Sequence, residues 1–489
     1  MKILVVGLDC AAPEIVFADE SLVNIRRVMD AGCYGKLESV VPPITIPAWM
    51  CMATGQDPGS LGVYGFRNRS DYSYGALEIA TSRSIRQVTI WDQVAMEGGR
   101  SVLIGIPPSF PPRKVNGVCV GCMLTPDVSR DIYTHPASVK DEIEALVGEY
   151  PVDVKGFRTD DKEWLKDSIY EMTAKHFEVV RHFVQNAEWD YFEFVEIGVD
   201  RMHHGFWKHH DPSHKQFEPG NPYESVIRDY YRYVDRELGT VFELLDEDTV
   251  VLIMSDHGAR ALDGGFCVNE WLAENGLLVL KERPTEITPF SDLNIDWSKT
   301  TAWSEGGYYG RVFLNVKGRE PQGLVEPEDY DKVRDELQQQ LESVLDDTGE
   351  PMGTRVFRPD QIYRNVRNIA PDLLVHFGDL AWRAIGGVGY PSVHVQENDT
   401  GPDDCNHAQF GVFVLASSNN PLQGEVDGVH LLDLAPTLLD LAGYDIPESM
   451  QGSSIARGKS MLSSEHGTCL SMEGEEAVRR RLSGLGYIS

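Results

Sequence analysis

Short apolar runs alternate along this chain with longer stretches of helical periodicity, and this alternation constrains the fold more than any other feature. The apolar runs are rich in β-branched residues and cover residues 2–9, 101–106, 191–200, 249–256, 372–377 and 411–416. Helical patterns lie between several of them, at residues 161–187, 223–245 and 328–346. A run that is apolar on both faces is typical of a strand buried inside a parallel sheet. The sequence therefore predicts an α/β fold with a mostly parallel central sheet.

The segment at residues 300–367 differs from this pattern. It contains the stretch GGYYGRVFLNVKGREPQGLV followed by a long charged helix, which favours a small lobe inserted beside the main sheet. We expect residues 1–462 to form one large domain that includes this lobe. The polar remainder, residues 463–489, is expected to form a terminal helix with a short tail.

Charge and the lack of targeting segments narrow the class of protein. The chain has 44 basic and 76 acidic residues, and its net charge of −32 repels a polyanion such as duplex DNA. A local basic patch can still bind a small phosphate ester. No stretch reaches the roughly 18 apolar residues that a membrane span needs, and the first residues lack the features of a secretion signal. We therefore expect a cytoplasmic protein with reduced cysteines, and neither a nucleic-acid polymer nor a membrane as its partner.

Acidic residues and histidines follow the ends of several predicted strands. They are Asp9, Asp200 with His204 four residues later, the pair Asp256 and His257, and His407 just before the run at 411–416. In open α/β sheets ligands bind at the carboxyl ends of the strands, so we expect these side chains to meet in one crevice. Carboxylates that lie close together repel one another unless a cation lies among them. The mixture of aspartate and histidine suits zinc or another first-row divalent metal.

Residues 40–66 contain a second feature, centred on Thr45. Pro47 near the first turn and Gly55 after the last predict a short helix that begins at Thr45. The free N–H groups at such a helix N-terminus favour an anion. This segment alone leaves two interpretations of Thr45 open: an ordinary capping residue, or a hydroxyl that a metal ion activates as a nucleophile.

The chain lacks the motifs that are typical of several other enzyme classes. The chain has no GxxxxGK(S/T) phosphate loop and no GxSxG elbow, and GSLGVYG is too loose for a dinucleotide fingerprint. These absences exclude nucleoside-triphosphate motors, ordinary serine esterases and dehydrogenases.

The motifs occur in a characteristic order along nearly the whole chain. They are Asp9, PPITIPAWMCMATG around Thr45, DxxxH at 200–204, SDHG at 255–258 and His407 with Gly411. Further stretches are NVKGREPQG at 315–323, NIAPDLLVHF at 368–377 and DLAPTLLDLAGYDIP at 433–447. This set resembles the alkaline phosphatase superfamily, and within it the type I phosphodiesterase/nucleotide pyrophosphatase family. The resemblance implies a three-layer sandwich around a mostly parallel sheet.

The resemblance also implies an activity and a set of ligands. The activity is hydrolysis of phosphodiester or pyrophosphate bonds in small molecules, with two divalent metal ions as cofactors, zinc first and manganese as the alternative. By motif position, one ion would be held by Asp9, Thr45, Asp256 and His257, and the other by Asp200, His204 and His407. Thr45 would attack phosphorus, giving a phosphothreonine intermediate that water then hydrolyses.

The chain departs from the nucleotide pyrophosphatase pattern beside Thr45. Ala48 and Trp49 stand where that family usually has Asn-His, and the asparagine that contacts the phosphate is not in its usual place. We expect Asn68 or Arg67 to take over this substrate contact.

Three alternatives to a diesterase stay open from the sequence. One is a phosphotransferase, in which an alcohol rather than water accepts the phosphoryl group. A phosphomonoesterase or phosphonate hydrolase would use the same two-metal site, and Arg67 and Arg69 favour the extra charge of a monoester. A catalytically inactive protein that binds phosphate esters would keep the fold without turnover.

Overall fold

The computed structural model describes residues 1–396 and 399–457. The terminal helix and tail that we expect at residues 463–489 lie outside the described residues. Residues Met1–Ala456 form one compact unit. Within the described part, no helix is long and apolar enough to span a membrane.

Strands and helices alternate through most of the chain. The strands are β1 Ile3–Leu8, β2 Cys33–Glu38, β3 Arg67–Arg69, β4 Leu77–Ile79, β5 Ser101–Ile104, β6 Gly117–Val120, β7 Thr134–His135, β8 Tyr191–Glu196, β9 Val250–Met254, β10 Gly258–Ala261, β11 Gly264–Cys267, β12 Ala302–Glu305, β13 Gly310–Leu314, β14 Arg355–Phe357, β15 Leu373–His376, β16 Trp382–Ile385, β17 His394–Val395, β18 Cys405–Ala408, β19 Phe410–Ala416, β20 Gly424–Glu425 and β21 Val429–His430. The helices are α1 Pro13–Val16, α2 Val23–Asp30, α3 Thr45–Thr54, α4 Pro58–Leu61, α5 Ile90–Met96, α6 Val139–Val147, α7 Lys162–Asn186, α8 Gly198–His210, α9 Val226–Phe242, α10 Val268–Glu274, α11 Tyr330–Glu342, α12 Pro359–Ile362 and α13 Leu434–Ala442. The three helical patterns read from the sequence correspond to α7, α9 and α11.

A ten-stranded sheet forms the centre of the molecule, in the order β20-β2-β19-β9-β1-β8-β5-β6-β7 with β21 beside β2. The five middle strands, β9 to β6 in that order, are parallel to one another. The strand β19 is antiparallel to both of its neighbours, and β7 is antiparallel to β6. The predicted α/β fold with a mostly parallel centre is therefore confirmed, with antiparallel strands added towards both edges.

Apolar side chains of the central strands supply two separate cores. In β1, Leu4, Val6 and Leu8 pack with α2, α7 and α9 on one face of the sheet. Ile3 and Val5 pack with α3, α5 and α13 on the other face. Because both faces are covered, the strand reads as one continuous apolar run. This arrangement gives the three layers that the resemblance implies.

A smaller antiparallel sheet, ordered β12-β13-β15-β14, stands apart from the central sheet. Its strands share a third core with α10 and α11. The segment at 300–367 supplies three of its strands together with α11, and β15 completes the sheet. The apolar run at 372–377 therefore belongs to this smaller sheet, although β15 is as fully buried as a central strand.

Candidate active site

The fold gathers the seven candidate side chains at the carboxyl edge of the parallel strands. Asp9 follows β1, Asp256 and His257 connect β9 to β10, Asp200 and His204 lie in α8, His407 lies in β18, and Thr45 begins α3. All seven are buried, and the most exposed of them, Thr45, is 4% exposed.

Asp9, Asp256 and His257 form a group that we call the sheet cluster. Each offers a ligand atom within 4.8 Å of the other two. The Nε2 atom of His257 lies 3.1 Å from Oδ2 of Asp256 and 3.9 Å from Oδ1 of Asp9. The indole N–H of Trp49 donates to Asp9 over 2.8 Å, and the backbone N–H of Cys10 donates to Asp256 over 3.2 Å. Neutral donors therefore fix the outer oxygens while the inner ligand atoms face one another.

Asp200, His204 and His407 form the second group, which we call the helix cluster. The Oδ1 atom of Asp200 lies 3.2 Å from Nε2 of His204 and 3.9 Å from Nε2 of His407. We expected Asp200 to end a strand, but β8 stops at Glu196, whose carboxylate accepts the N–H of Gly198 over 2.8 Å at the start of α8. Asp200 consequently lies in the first helical turn, and its i+4 spacing places His204 on the same face of α8.

Thr45 is the first residue of α3, as the proline and glycine pattern predicts. The cap position is Ile44, which makes no side-chain cap hydrogen bond, and the left-handed Gly55 (φ 62°) ends the helix. The threonine hydroxyl is therefore not used for capping. Its Oγ1 atom lies 3.4 Å from Nε2 of His257, beside the sheet cluster.

A short antiparallel ladder joins the two clusters into one site. In the β10–β18 pair, Ala259 lies opposite His407. The ring of His257 stacks on that of His407, with centroids 3.7 Å apart and an interplanar angle of 16°. The sheet cluster and the helix cluster are therefore in direct contact through their histidines.

The Nδ1 atom of each histidine is occupied by an outer partner. These contacts are His257 with the carbonyl of Gly258 (3.1 Å), His407 with the carbonyl of Pro43 (2.9 Å) and His204 with the carboxylate of Asp403 (2.5 Å). A proton on Nδ1 donates to each oxygen and leaves the Nε2 lone pair directed into its cluster. This is the tautomer that a metal-ligating histidine requires.

Several buried ligand atoms in the site lack a hydrogen-bond partner, as expected for a site that binds a cation. Within the described part, Oδ1 of Asp9, Oδ2 of Asp256 and Nε2 of His204 are buried without a hydrogen-bond partner. Burial, together with the nearby carboxylates of Asp256 and Asp200, raises the pKa of Asp9 well above its usual range. Buried carboxylates without compensation are costly, so the sheet cluster fits a divalent cation. In the helix cluster Arg201 donates to Asp200, and there the unpartnered Nε2 of His204 beside that carboxylate fits a second cation.

Among the described residues, the two expected substrate contacts, Asn68 and Arg67, form no hydrogen bond or ion pair with these seven side chains. The Asn68 amide accepts the N–H of Tyr64 over 2.7 Å and donates to the carbonyl of Gly65 over 2.9 Å, which closes a turn. Arg67 is exposed and lines a cavity of about 630 Å³ together with Arg383. A role for either residue in substrate binding stays a prediction.

Sequence reasoning missed Asp403, whose carboxylate bonds His204. Arg158 lies 3.1 Å from Asp403 and donates to the hydroxyl of Tyr308. The Tyr308 ring stacks on His407 with centroids 4.3 Å apart. These contacts join residues far apart in the chain, and the nearest sequence signal is that Asp403 lies four residues before His407.

The sequence model of the type I phosphodiesterase/nucleotide pyrophosphatase family matches residues 3–403, a span that contains every candidate side chain except His407. The chain belongs to this family. It is a phosphoric ester hydrolase of the phosphodiesterase and nucleotide pyrophosphatase type. Enzymes of this family depend on metal ions, and the sheet and helix clusters are the candidate ligand groups in this member.

Solved structures with the same fold come from human and mouse. Human ectonucleotide pyrophosphatase/phosphodiesterase 5 is similar with a TM-score of 0.53 and 13% identity, over 94% of this chain and 99% of that chain. The mouse protein gives a TM-score of 0.51 and 14% identity, over 91% of this chain and 96% of that chain. An inactive variant of the mouse protein in complex with AMP gives 0.51 and 13%, with the same coverage. No curated protein matches the chain.

Proposed function

We propose that this hydrolase cleaves phosphodiester or pyrophosphate bonds in small molecules, with Thr45 as its nucleophile and two zinc ions as its cofactors. The observation that carries this proposal is the position of the Thr45 hydroxyl, which is free of capping and lies 3.4 Å from His257 Nε2. The sheet cluster together with Thr45 would hold one ion, and the helix cluster would hold the other.

Thr45 supplies the covalent step. When bound, the metal ions would neutralise the buried carboxylates, stabilise the alkoxide form of Thr45 and activate the water of the second step. Thr45 Oγ1 gives up its proton and attacks phosphorus, a phosphothreonine forms, and the leaving oxygen departs with the electron pair of its bond to phosphorus and takes up a proton. Hydrolysis of that intermediate then releases the second product and restores the hydroxyl.

The N-terminus of α3 supplies donors for the substrate phosphate. The N–H groups of Thr45 and Ile46 lie in the first turn and have no acceptor within the helix, while Pro47 has no N–H. Such groups can donate to a non-bridging oxygen as its charge grows in the transition state. A small-molecule substrate fits the net charge of −32, which opposes a long polyanion. The AMP complex of the related mouse protein supports a nucleotide-like substrate.

The alternative of a phosphomonoesterase rested on two arginines just beyond α3. The guanidinium group of Arg69 is buried and lies 2.9 Å from the carboxylate of Glu320, so it is already neutralised. Of the two arginines, only Arg67 is exposed. The structure therefore weakens the case for a monoester substrate, which needs additional basic contacts.

The test combines metal analysis with initial rates on bis-p-nitrophenyl phosphate and p-nitrophenyl phosphate. It compares wild type, Thr45→Ala and the matched control Thr54→Ala. Thr54 lies at the other end of α3, where its hydroxyl donates to the carbonyl of Met50 over 2.7 Å. We expect two zinc ions per chain in all three proteins, a preference for the diester, and loss of turnover in Thr45→Ala alone.

Other results would change the proposal in defined ways. A preference for p-nitrophenyl phosphate would keep the site and make the enzyme a phosphomonoesterase. Absence of bound metal, or full activity in Thr45→Ala, would refute the mechanism.

A further inference from the structure

A second polar cavity, of about 560 Å³, lies beside the β3–β4 hairpin. Its walls come from the end of α4, from residues 68–70, from residues 78–87 and from the segment 367–369, and they include the expected substrate contact Asn68. None of the seven candidate side chains of the active site lines it. We call it the arginine cavity, after Arg83, Arg86 and Arg367, which line it together.

The three arginines are charged groups without a protein counterion. Within the described part, none of them has a carboxylate within 4.0 Å, and Glu78 is the one acidic residue that lines the cavity. A fourth lining residue, Arg69, shows the contrast, because its charge is taken up by Glu320 at 2.9 Å.

This concentration of positive charge runs against the composition of the chain. With 76 acidic and 44 basic residues, an arginine has many carboxylates with which to pair. Three unpaired guanidinium groups around one cavity repel each other, and an anion placed among them relieves that repulsion. Guanidinium groups also match phosphate oxygens in geometry, since their N–H groups can donate in pairs.

The wall that carries these arginines is held in place by local hydrogen bonds. Gln87 accepts the backbone N–H of Arg86 over 3.0 Å and donates to the carbonyl of Ser60 over 2.7 Å, which ties the segment to α4. The Ser84 hydroxyl oxygen accepts the N–H of Thr81 over 3.0 Å, so its own proton can be donated elsewhere. The cavity therefore offers neutral donors in addition to its charges.

We propose that the arginine cavity is a second binding site, distinct from the sheet cluster, the helix cluster and Thr45, for a small molecule that carries two or more phosphate groups. Three guanidinium groups around about 560 Å³ suit several negative charges on one compact ligand. A nucleic-acid polymer does not suit the site, because the rest of its length would face a protein of net charge −32.

The test is calorimetric titration of the metal-loaded enzyme with methylenediphosphonate, which carries two phosphonate groups and has no P–O–P bond to hydrolyse. Wild type is compared with the triple variant Arg83→Gln/Arg86→Gln/Arg367→Gln. The matched control Arg27→Gln/Arg228→Gln/Arg236→Gln removes the same charge at exposed positions outside the cavity. Rates on bis-p-nitrophenyl phosphate are measured for all three proteins.

We expect wild type to show a binding event that weakens as NaCl is raised. The cavity variant should weaken that event by at least about 30-fold, since three charged donors are lost, and the control by less than about threefold. Rates on the diester should be unchanged in both variants, which separates this proposal from the proposed catalytic function.

Three results would overturn the proposal. They are the absence of a salt-sensitive event in wild type, an unchanged event in the cavity variant, and equal weakening in the control variant. An unchanged event in the cavity variant would place the ligand at the metal centre alone. Equal weakening in the control variant would show general attraction of the ligand to positive charge.

Discussion

The two clusters of the active site contain similar side chains but are held in place differently. The sheet cluster has two carboxylates and one histidine, whereas the helix cluster has one carboxylate and two histidines. Neutral groups hold the sheet cluster: the Trp49 indole, the Cys10 backbone N–H and the Gly258 carbonyl. The helix cluster is held largely by charges, because Asp403 binds His204 and Arg201 donates to Asp200.

The strands that lead to the two clusters also differ in the charge that they bury. The strand β1, which leads to Asp9, is ILVVGL and wholly apolar. Its neighbour β8, which leads to α8 and the helix cluster, is YFEFVE and buries both Glu193 and Glu196. The lesson is that neutral hydrogen-bonding groups hold the sheet cluster and compensated buried charges hold the helix cluster, so mutations should affect the two halves unequally.

The largest effect is expected from Asp200→Asn, which removes the single carboxylate of the helix cluster. Asp200 Oδ1 faces both His204 and His407, so the variant leaves the two histidines without an anionic ligand beside them for the metal ion. Turnover should fall by roughly 10³, the loss of several kcal/mol of transition-state stabilisation. Metal analysis should find one ion lost. In Asp256→Asn the sheet cluster keeps Asp9, and its ion should be retained more strongly. Retention of both ions in Asp200→Asn would contradict the prediction that the helix cluster depends more on its carboxylate than the sheet cluster does.

The next largest effect is expected on protein stability, and it comes from the buried carboxyl group of Glu193 in β8. Burial raises the pKa of Glu193 to about 7, although the hydroxyl of Tyr191 donates to it over 2.6 Å. The folded state therefore keeps a proton that the unfolded chain releases near its ordinary pKa of 4.5. Stability should fall as pH rises from 4.5 to about 7 and then level off, by about 3 kcal/mol in total.

Glu193→Gln tests this pH dependence directly. The variant should be more stable than wild type above pH 7, with the difference disappearing towards pH 4.5. Urea unfolding between pH 4.5 and 8 measures it. Because Glu193 is not a ligand of either cluster, metal content should not change. A difference in stability that is independent of pH would show that Glu193 is ionised throughout in the folded protein.

The sequence predicts the position of the sheet cluster more completely than that of the helix cluster. The ends of β1 and β9 are visible because buried parallel strands are continuous apolar runs, so Asp9, Asp256 and His257 could be placed at one edge. The α3 boundaries follow from Pro47 and Gly55. Asp200 was placed at a strand end because the turn at Glu196 and Gly198 leaves no pattern in the sequence. Asp403 could not be predicted, since its contacts with Arg158 and His204 cross long separations in the chain.

A third effect is expected from Asp403→Asn, which removes the charge behind His204 while keeping an acceptor of the same shape. Loss of such an outer partner typically lowers metal affinity by roughly 10–100-fold. Zinc affinity of the helix cluster should fall in this range in a competition titration with a chelator, while that of the sheet cluster stays unchanged.

The control for this variant is Asp404→Asn, the neighbouring buried carboxylate. Its side chain lies 3.2 Å from Lys208, and burial raises its pKa to about 6. In the described part its carboxylate forms no hydrogen bond or ion pair with the His204 ring, although its backbone N–H donates to the carbonyl of His204 over 2.9 Å. Equal loss of zinc from Asp403→Asn and Asp404→Asn would show that general disruption of the segment, and not the orientation of His204, causes the effect.

The smallest effect is expected from Trp49→Phe, because it removes only a neutral donor from the sheet cluster. The Trp49 N–H donates to the Asp9 carboxylate over 2.8 Å. Because the donor is neutral and Asp9 keeps its charge in the variant, zinc affinity should fall by no more than about 10-fold, the lower end of what loss of an outer partner costs. Trp91→Phe is the control, since the Trp91 N–H is buried without a partner in the described part and its loss changes packing alone. The same chelator titration compares this result with that of Asp403→Asn. If Trp49→Phe weakened zinc binding as much as Asp403→Asn, then neutral and charged supports would be equivalent, and the difference between the two clusters would have no energetic consequence.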